Sequence, residues 1–218
     1  NIDNDYNFRF VISSYNNENN IYNNLMSIIY QNNKNWKIIY TNDASTDKTS
    51  FLFKKISLEY NLKDKIKYIE NVKNKKQSYC KYNSYKYCDN DEIVIILDGD
   101  DWLSRNDVLS LLTTSYNNSK CLALYTGYKI YYNNTIIRNV VRSYFPEEIQ
   151  KNGKYRTYES WKFTHIKTAY SHLFKSIPSY YLKYNNNWLD RCTDLAEYYC
   201  VAELAKGKII HLPEICCI

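Results

Sequence analysis

Between Glu92 and Leu103 the chain reads EIVIILDGDDWL. Ile93 through Leu97 form an apolar run too short for a helix and rich in β-branched residues, which predicts a strand buried on both faces. Polar and turn-forming residues follow at once. Because side chains alternate along an extended chain, Asp98 and Asp100 are expected to point the same way, with Gly99 between them letting a ligand approach the backbone. Two carboxylates meeting at a strand end would repel and one would take up a proton, so a hard cation, Mg²⁺ or Mn²⁺, bridging to a diphosphate is their natural partner. The plainer alternative is a solvated acidic turn leading into a helix capped by Ser104.

Upstream, the same arrangement occurs twice more. Phe8 to Ser13 (FRFVIS) predicts a first strand, followed by a polar turn and a helix whose face is Ile21, Leu25, Ile28 and Ile29. Trp36 to Tyr40 (WKIIY) predicts a second strand. The turn Thr41 to Asp47 (TNDASTD) then leads into a helix capped by Ser45 or Thr46, with Leu52, Ile56 and Tyr60 facing the sheet. Lys67 to Ile69 is a short third strand, and a helix runs from about Gln77 to Cys88. Strands alternating with helices imply a mostly parallel, doubly wound α/β sheet with helices on both faces, whose ligands lie beyond the carboxyl ends of the strands. Asp43 and Asp98 share that edge.

Downstream, Ser104 is expected to cap a helix buried through Val108, Leu111 and Leu112. Leu122 to Thr126 and Lys129 to Tyr132 read as two strands separated by Gly127. Residues 133 to 165 are polar, with a hairpin expected at Asn133-Asn134 and loops at Pro146 and Gly153. Leu195, Tyr198, Tyr199, Ala202 and Ala205 give a helical face ending at Gly207. Lys208 to Leu212 is a last strand, closed by Pro213.

The whole chain narrows the function classes. At 218 residues it is long enough for one domain with a full core. Its formal charge of +6 is spread along the chain. Lys73, Lys75 and Lys76 cluster, but they lack the aromatic platforms that single-strand binding needs, so no nucleic-acid partner is expected. The 25 Tyr beside only 4 Gly and 3 Pro suggest an AT-rich coding bias. Seven cysteines without metal-ligand spacing argue for reduced, packed thiols and a cytoplasmic location. No apolar run approaches the roughly 18 residues of a membrane span. The sequence does not begin with Met, as expected of a domain cut from something longer.

Taken together, FVISSYN (10–16), YTNDASTD (40–47) and VIILDGDDWL (94–103) resemble the inverting glycosyltransferases of family 2, with the GT-A fold. The resemblance is closest over residues 8–116. It implies one GT-A domain, 1–218, whose first part (1–116) holds a nucleotide-sugar and whose second part (117–218) holds the acceptor. Carried over residue by residue, Asp43 matches the acidic residue that bonds the base or ribose, and Ser13 and Tyr15 border the base. Asp98 and Asp100 match the DxD pair, with Asp98 toward ribose or metal and Asp100 on the metal. Asn83, in CKYN (80–83), matches the Asn of an ARN-like helix. A Gly common before that helix is replaced here by Asn74-Lys75-Lys76. The QxxRW signature of processive synthases is missing, so the resemblance implies transfer of one sugar per encounter, with UDP as the expected nucleotide. The acceptor is expected to be a hydroxyl on a glycan, protein or lipid carrier.

Inversion needs a base opposite the departing diphosphate. Asp194, in RCTDLAEYY (191–199), occupies the family's position, with Glu197 and Asp190 as rivals and a helix-capping role as the alternative. His172 reads either as a metal or phosphate contact or as a packed histidine. Trp161 and Trp188 read as sugar platforms or as core. A haloacid-dehalogenase-type phosphatase also carries a DxD, but on an early strand and followed by Thr or Val, where this chain has Trp102. A nucleotidylyltransferase wants a Gly-rich first turn, and an EF-hand needs Glu where Leu109 stands. A nucleotide-binding domain without turnover is the remaining alternative.

Overall fold

A computed structural model describes residues 5–133 and 135–218. Eight of its strands form one sheet, and a ninth and tenth make a separate two-stranded ribbon. The first half follows the expected alternation: β1 (Phe8–Ser14), α1 (Ile21–Ile29), β2 (Trp36–Asn42), α2 (Thr49–Glu59), β3 (Ile66–Glu70), α3 (Gln77–Tyr85), β4 (Ile93–Ile96) and α4 (Val108–Ser119). The second half adds β5 (Ala123–Tyr132), β6 (Thr135–Val140), α5 (Glu147–Asn152), β7 (Lys167–Tyr170), α6 (Ser171–Lys175), the ribbon β8 (Lys183–Tyr184) and β9 (Asn187–Trp188), α7 (Thr193–Leu204) and β10 (Ile209–Cys217).

Strand order is β10-β5-β7-β4-β1-β2-β3, with β6 paired to the far part of β5. β1 is parallel to both β2 and β4, β2 to β3, and β10 to β5. β7 runs antiparallel between β4 and β5, so one sheet passes through both halves of the chain. Every residue of β1 is buried. Phe8, Phe10 and Ile12 face one core and Val11 the other, which is the period of two expected for a strand covered on both sides. Residues of α1, α2 and α4 fill the first core, and those of α3, α6 and α7 the second.

Several sequence expectations are corrected. The two strands foreseen around Gly127 are one, β5, in which a Cβ at Gly127 would come within 2.8 Å of Val141 Cγ2. β5 and β6 pair antiparallel on either side of positions 133–134, and Asn134 lies outside the described residues. The last strand continues past Pro213 to Cys217, with register shifts between Leu212 and Cys217. Being at the sheet edge, β10 tolerates a residue without an N–H. α3 stops at Tyr85, short of Cys88, and α7 stops at Leu204, before Gly207. Leu109, rather than Leu111, completes the buried face of α4. Neither Ser45 nor Thr46 caps α2, and Ser104 does not cap α4, because tertiary partners recruit these groups. Ser45 Oγ accepts from Asn16 N at 2.9 Å, Thr46 N donates to Asn16 Oδ1 at 2.8 Å, and Ser104 Oγ donates to Ile215 O at 2.6 Å. All seven cysteines are free, and all but Cys192 are buried. No helix among the described residues is long and apolar enough to cross a membrane.

Candidate functional site

The end of β1 brackets the two acidic motifs. Asp43 N donates to Ser14 O at 2.8 Å, and Gly99 N donates to Ser13 O at 3.1 Å. Parallel pairing of β1 with β2 and β4 therefore brings Asp43 and the acidic turn to the same rim. The first two turns are also stitched together: Glu18 N donates to Asp47 Oδ2 at 3.0 Å, and Lys48 N to Glu18 Oε2 at 2.9 Å. From α1, buried Asn24 donates through Nδ2 to the carbonyls of Asp98 (3.0 Å) and Asp101 (2.7 Å), which fixes the acidic turn from below. Packing alone already calls for glycine at position 99, since a Cβ there would lie 2.6 Å from Asn17 Nδ2 and 2.7 Å from Ser14 Oγ.

A polar cavity of about 210 Å³ opens at this rim, walled by Ser13, Tyr15, Asn17, Asp43, Asn74, Gln77, Asp100 and Asp190. Asp43 is buried, and its carboxylate organises the following loop. Oδ1 accepts from Asn71 Nδ2 (2.7 Å) and Lys75 N (2.9 Å), and Oδ2 from Lys76 N (2.9 Å). Lys76, in the segment that replaces the expected Gly, has φ 79° and ψ 152°. That region is essentially reserved for glycine and costs a side-chain-bearing residue about 1–3 kcal/mol. Its ammonium meets Asp190 Oδ2 at 3.0 Å, an exposed pair worth about 0–1 kcal/mol.

β4 ends at Ile96, so strand alternation does not carry through the turn, and Asp98 and Asp100 have different surroundings. Asp98 Oδ1 meets Lys81 Nζ at 2.8 Å and accepts from Gln77 Nε2 at 2.9 Å. Burial alone would raise the Asp98 carboxyl, but the Lys81 ammonium, helped by His165 and Lys167, holds it down at about 2. Asp100 is exposed to the cavity, and among the described residues no side chain donates a hydrogen bond to it. Burial and the Asp98 charge raise its carboxyl, and burial with the charges of Asp98 and Asp100 raises Asp101 well above the ordinary range.

Whether this set suits a divalent ion is decided by its donors. Among the described residues no three His, Cys, Asp or Glu side chains form a ready-made metal cage. The ionised Asp98 beside Asp100, whose ionisation is disfavoured and which has no side-chain donor among the described residues, is nevertheless a partial set of the hard oxygens that Mg²⁺ or Mn²⁺ takes when substrate phosphates complete its shell. The residues fit on those terms.

Behind the acidic turn lies a second polar group. Lys167, on β7 and only 1% exposed in its side chain, donates to Asp194 Oδ2 at 3.2 Å and lies 3.3 Å from His165 Nε2. An ammonium can only donate, so the bond assigns the His165 proton to Nδ1, which sits 3.8 Å from Asp101 Oδ2. Burial and the Lys167 charge lower the His165 pKa to about 3, so the ring is neutral at pH 7. Asp194 stands in the first turn of α7, where burial would raise its carboxyl but Lys167, Lys81 and His165 together lower it. His165, Asp100, Asp101, Trp102 and Tyr128 wall a second cavity of about 410 Å³, with Asp100 common to both cavities. Gln77 links the two groups, because its Oε1 accepts from Thr193 Oγ1 while its Nε2 reaches Asp98.

Of the residues singled out in sequence, Ser13, Tyr15, Asp43 and Asp100 line one cavity, and Asp98 touches Gln77 on its wall. Asn83 is not among them. Its Oδ1 accepts from Lys86 Nζ at 2.7 Å. Residues two apart on a helix face different ways, so turning Lys81 toward Asp98 turns Asn83 aside. Of the rivals to Asp194, Glu197 is buried against the Tyr85 hydroxyl with its carboxyl raised, first by burial, and Asp190 is exposed and paired with Lys76. His172 is exposed, with Nδ1 3.4 Å from Asn90 O, so it is not the packed histidine of one reading, and it is not among the residues that line either cavity. Trp161 packs on Phe163 and Tyr199, and Trp188 on Tyr79 and Tyr82. Sequence reasoning missed Gln77, Lys81, Asp101, His165 and Lys167. Lys81 alone carried a signal, lying at i+3 from Ser78 and i−4 from Tyr85 on the buried face of α3.

The sheet is mostly parallel with helices on both faces, and it carries two acidic motifs and a polar cavity at its carboxyl rim. The glycosyl transferase family 2 model matches residues 10–176, and the chain belongs to that family. In fold it is similar to TarS 1–349 of S. aureus, at a TM-score of 0.69 and 19% identity, over 96% of this chain and 59% of that one. The same fragment in complex with UDP-GlcNAc gives 0.70 and 18%, over 96% and 57%. The mannosyltransferase PcManGT from Pyrobaculum calidifontis, in complex with GDP-Man and Mn²⁺, gives 0.65 and 13%, over 96% and 56%. The chain thus spans less than three fifths of the length of these structures. No curated protein matches it in sequence.

Proposed function

We propose that this domain transfers one sugar per encounter from a nucleoside diphosphate sugar, with UDP as the nucleotide, to a hydroxyl of a glycan, protein or lipid-linked acceptor, inverting the anomeric centre. The observation that carries this reading is the cavity shared by Ser13, Tyr15, Asp43 and Asp100 at the carboxyl rim. It is supported by family membership and by UDP, UDP-GlcNAc or GDP-Man in complexes of similar fold. The base and ribose lie against Ser13, Tyr15 and Asp43 in residues 1–116, and the acceptor is held mainly by residues 117–218.

Asp100 and the free Oδ2 of Asp98 would hold Mn²⁺ or Mg²⁺, which when bound offsets the charge of the departing diphosphate. Asp194 is the base. Lys167 keeps its carboxylate ionised and oriented, so that it takes the acceptor's hydroxyl proton as that oxygen bonds to the anomeric carbon and the bond to diphosphate breaks. Neutral His165 buttresses Lys167 from the other side. Thermal melting with UDP, with and without Mn²⁺, followed by UDP release from a panel of UDP-sugars, tests the proposal. At UDP about a hundredfold above Kd, linkage stabilises the fold by roughly 2.7 kcal/mol. For a chain of this size that is a rise in Tm of roughly 5–10 °C. No shift with any nucleotide rejects the reading; a shift with no turnover of any donor leaves a nucleotide-binding domain.

A further inference from the structure

Lys76 keeps a long charged side chain at a backbone position that suits glycine, φ 79° and ψ 152°. What it has that glycine lacks is an ammonium. Its N–H is fixed by the Asp43 carboxylate at 2.9 Å, so the residue is tied to the wall of the polar cavity. Its Nζ lies 3.0 Å from Asp190 Oδ2, and Asp190 lines that same cavity. The ammonium is therefore within hydrogen-bond distance of a residue that lines the cavity.

Three nearby cations have other partners. Lys81 is held by Asp98 inside the fold, Lys167 by Asp194, and Lys75 lies over the Tyr79 ring. The Lys76 pair differs in being open to water at both ends, with side chains 46% and 59% exposed, so its partner is readily exchanged. We propose that Lys76 is a diphosphate-binding residue of this chain, which releases Asp190 and takes the donor's phosphate oxygens when a nucleotide enters. The inference rests on the nucleotide reading above, and adds to it a residue outside the family pattern from which that reading was drawn. Asp190, on this account, holds the ammonium at the rim until the more highly charged diphosphate displaces it.

Calorimetric titration of UDP and of uridine into the native chain, Lys76→Gly and Asp190→Asn tests it. Lys76→Gly is expected to bind UDP about tenfold more weakly, the loss of one charge-assisted contact. Uridine, without phosphates, should lose no more than about twofold, and relief of the backbone should raise Tm by a few degrees. Asp190→Asn, which frees the ammonium, should tighten UDP binding about threefold, an inference from the weakness of the exposed pair. Unchanged UDP affinity in Lys76→Gly, an equal fall for UDP and uridine, or weaker UDP binding by Asp190→Asn overturns the inference while leaving the nucleotide site in place. A native chain that binds neither compound overturns both.

Discussion

Replacing Lys81 by Met removes the buried ammonium that faces Asp98 while keeping the length of the side chain. Lys81 has 0% side-chain exposure and Asp98 21%, with 2.8 Å between their charges. Holding Asp98 at about 2, against an ordinary carboxyl near 3.8, is a difference of just under two pH units. At about 1.4 kcal/mol per unit, the surroundings of Asp98, with Lys81 the main favourable contributor, supply about 2–3 kcal/mol net of the cost of burial. Breaking a wholly buried pair costs about 3–5 kcal/mol, and the partial solvation of Asp98 places this one at the lower end. Because the folded pKa is depressed, the stabilisation is present above pH 4 and is lost as the pH falls toward about 2. Melting curves from pH 3 to pH 7 should show Lys81→Met about 5–10 °C below the native chain at pH 7, with the gap closing toward pH 3. Adding Asp98→Asn should recover part of the loss, since the uncompensated charge is then gone. A gap of less than about 2 °C at pH 7, or one that does not depend on pH, would refute the assignment.

Gly99→Ala sets a methyl group within 2.8 Å of Asn17 and Ser14, so it should cost about 1–3 kcal/mol, read from the denaturation midpoint; a neutral outcome would mean that the first turn can give way. Asp194→Asn should lower kcat by roughly 10²–10⁴-fold while UDP affinity holds, and near-native kcat would move the base elsewhere. For Asp100 the sign is opposite to that of Asp98: its carboxyl is raised, so its ionisation weakens the fold as pH climbs through its pKa, and a cation offsets that cost. Mn²⁺ with UDP should therefore raise Tm more at pH 7.5 than at about pH 4, and Asp100→Asn should reduce that difference; an equal gain in both proteins would place the metal elsewhere.

The first half of the fold was legible because each strand carries a continuous apolar run and each following turn is polar. β7 was not, since it has four residues and begins with Lys167, whose burial is explained only by Asp194 and His165. Helix caps misled for a related reason. Ser45 and Ser104 look like local caps, yet their hydroxyls serve Asn16 and Ile215, and such pairings depend on tertiary geometry. At the site, the motif residues Asp43, Asp98 and Asp100 were readable from type and position at strand ends. The side chains that set their charge states were not. Lys81 comes from a helix before the strand, Lys167 from an antiparallel strand some seventy residues beyond it, and His165 from the polar segment that gave no pattern. The histidine weighed from sequence, His172, lies beyond the other end of the same short strand.

Diffraction from crystals grown with UDP and Mn²⁺, using the anomalous signal of manganese, tests the central claim most directly. The account predicts uracil and ribose against Tyr15 and Asp43, and a manganese peak between Asp100 and the diphosphate. A nucleotide seated in another cavity, or a manganese peak remote from Asp100, would contradict it.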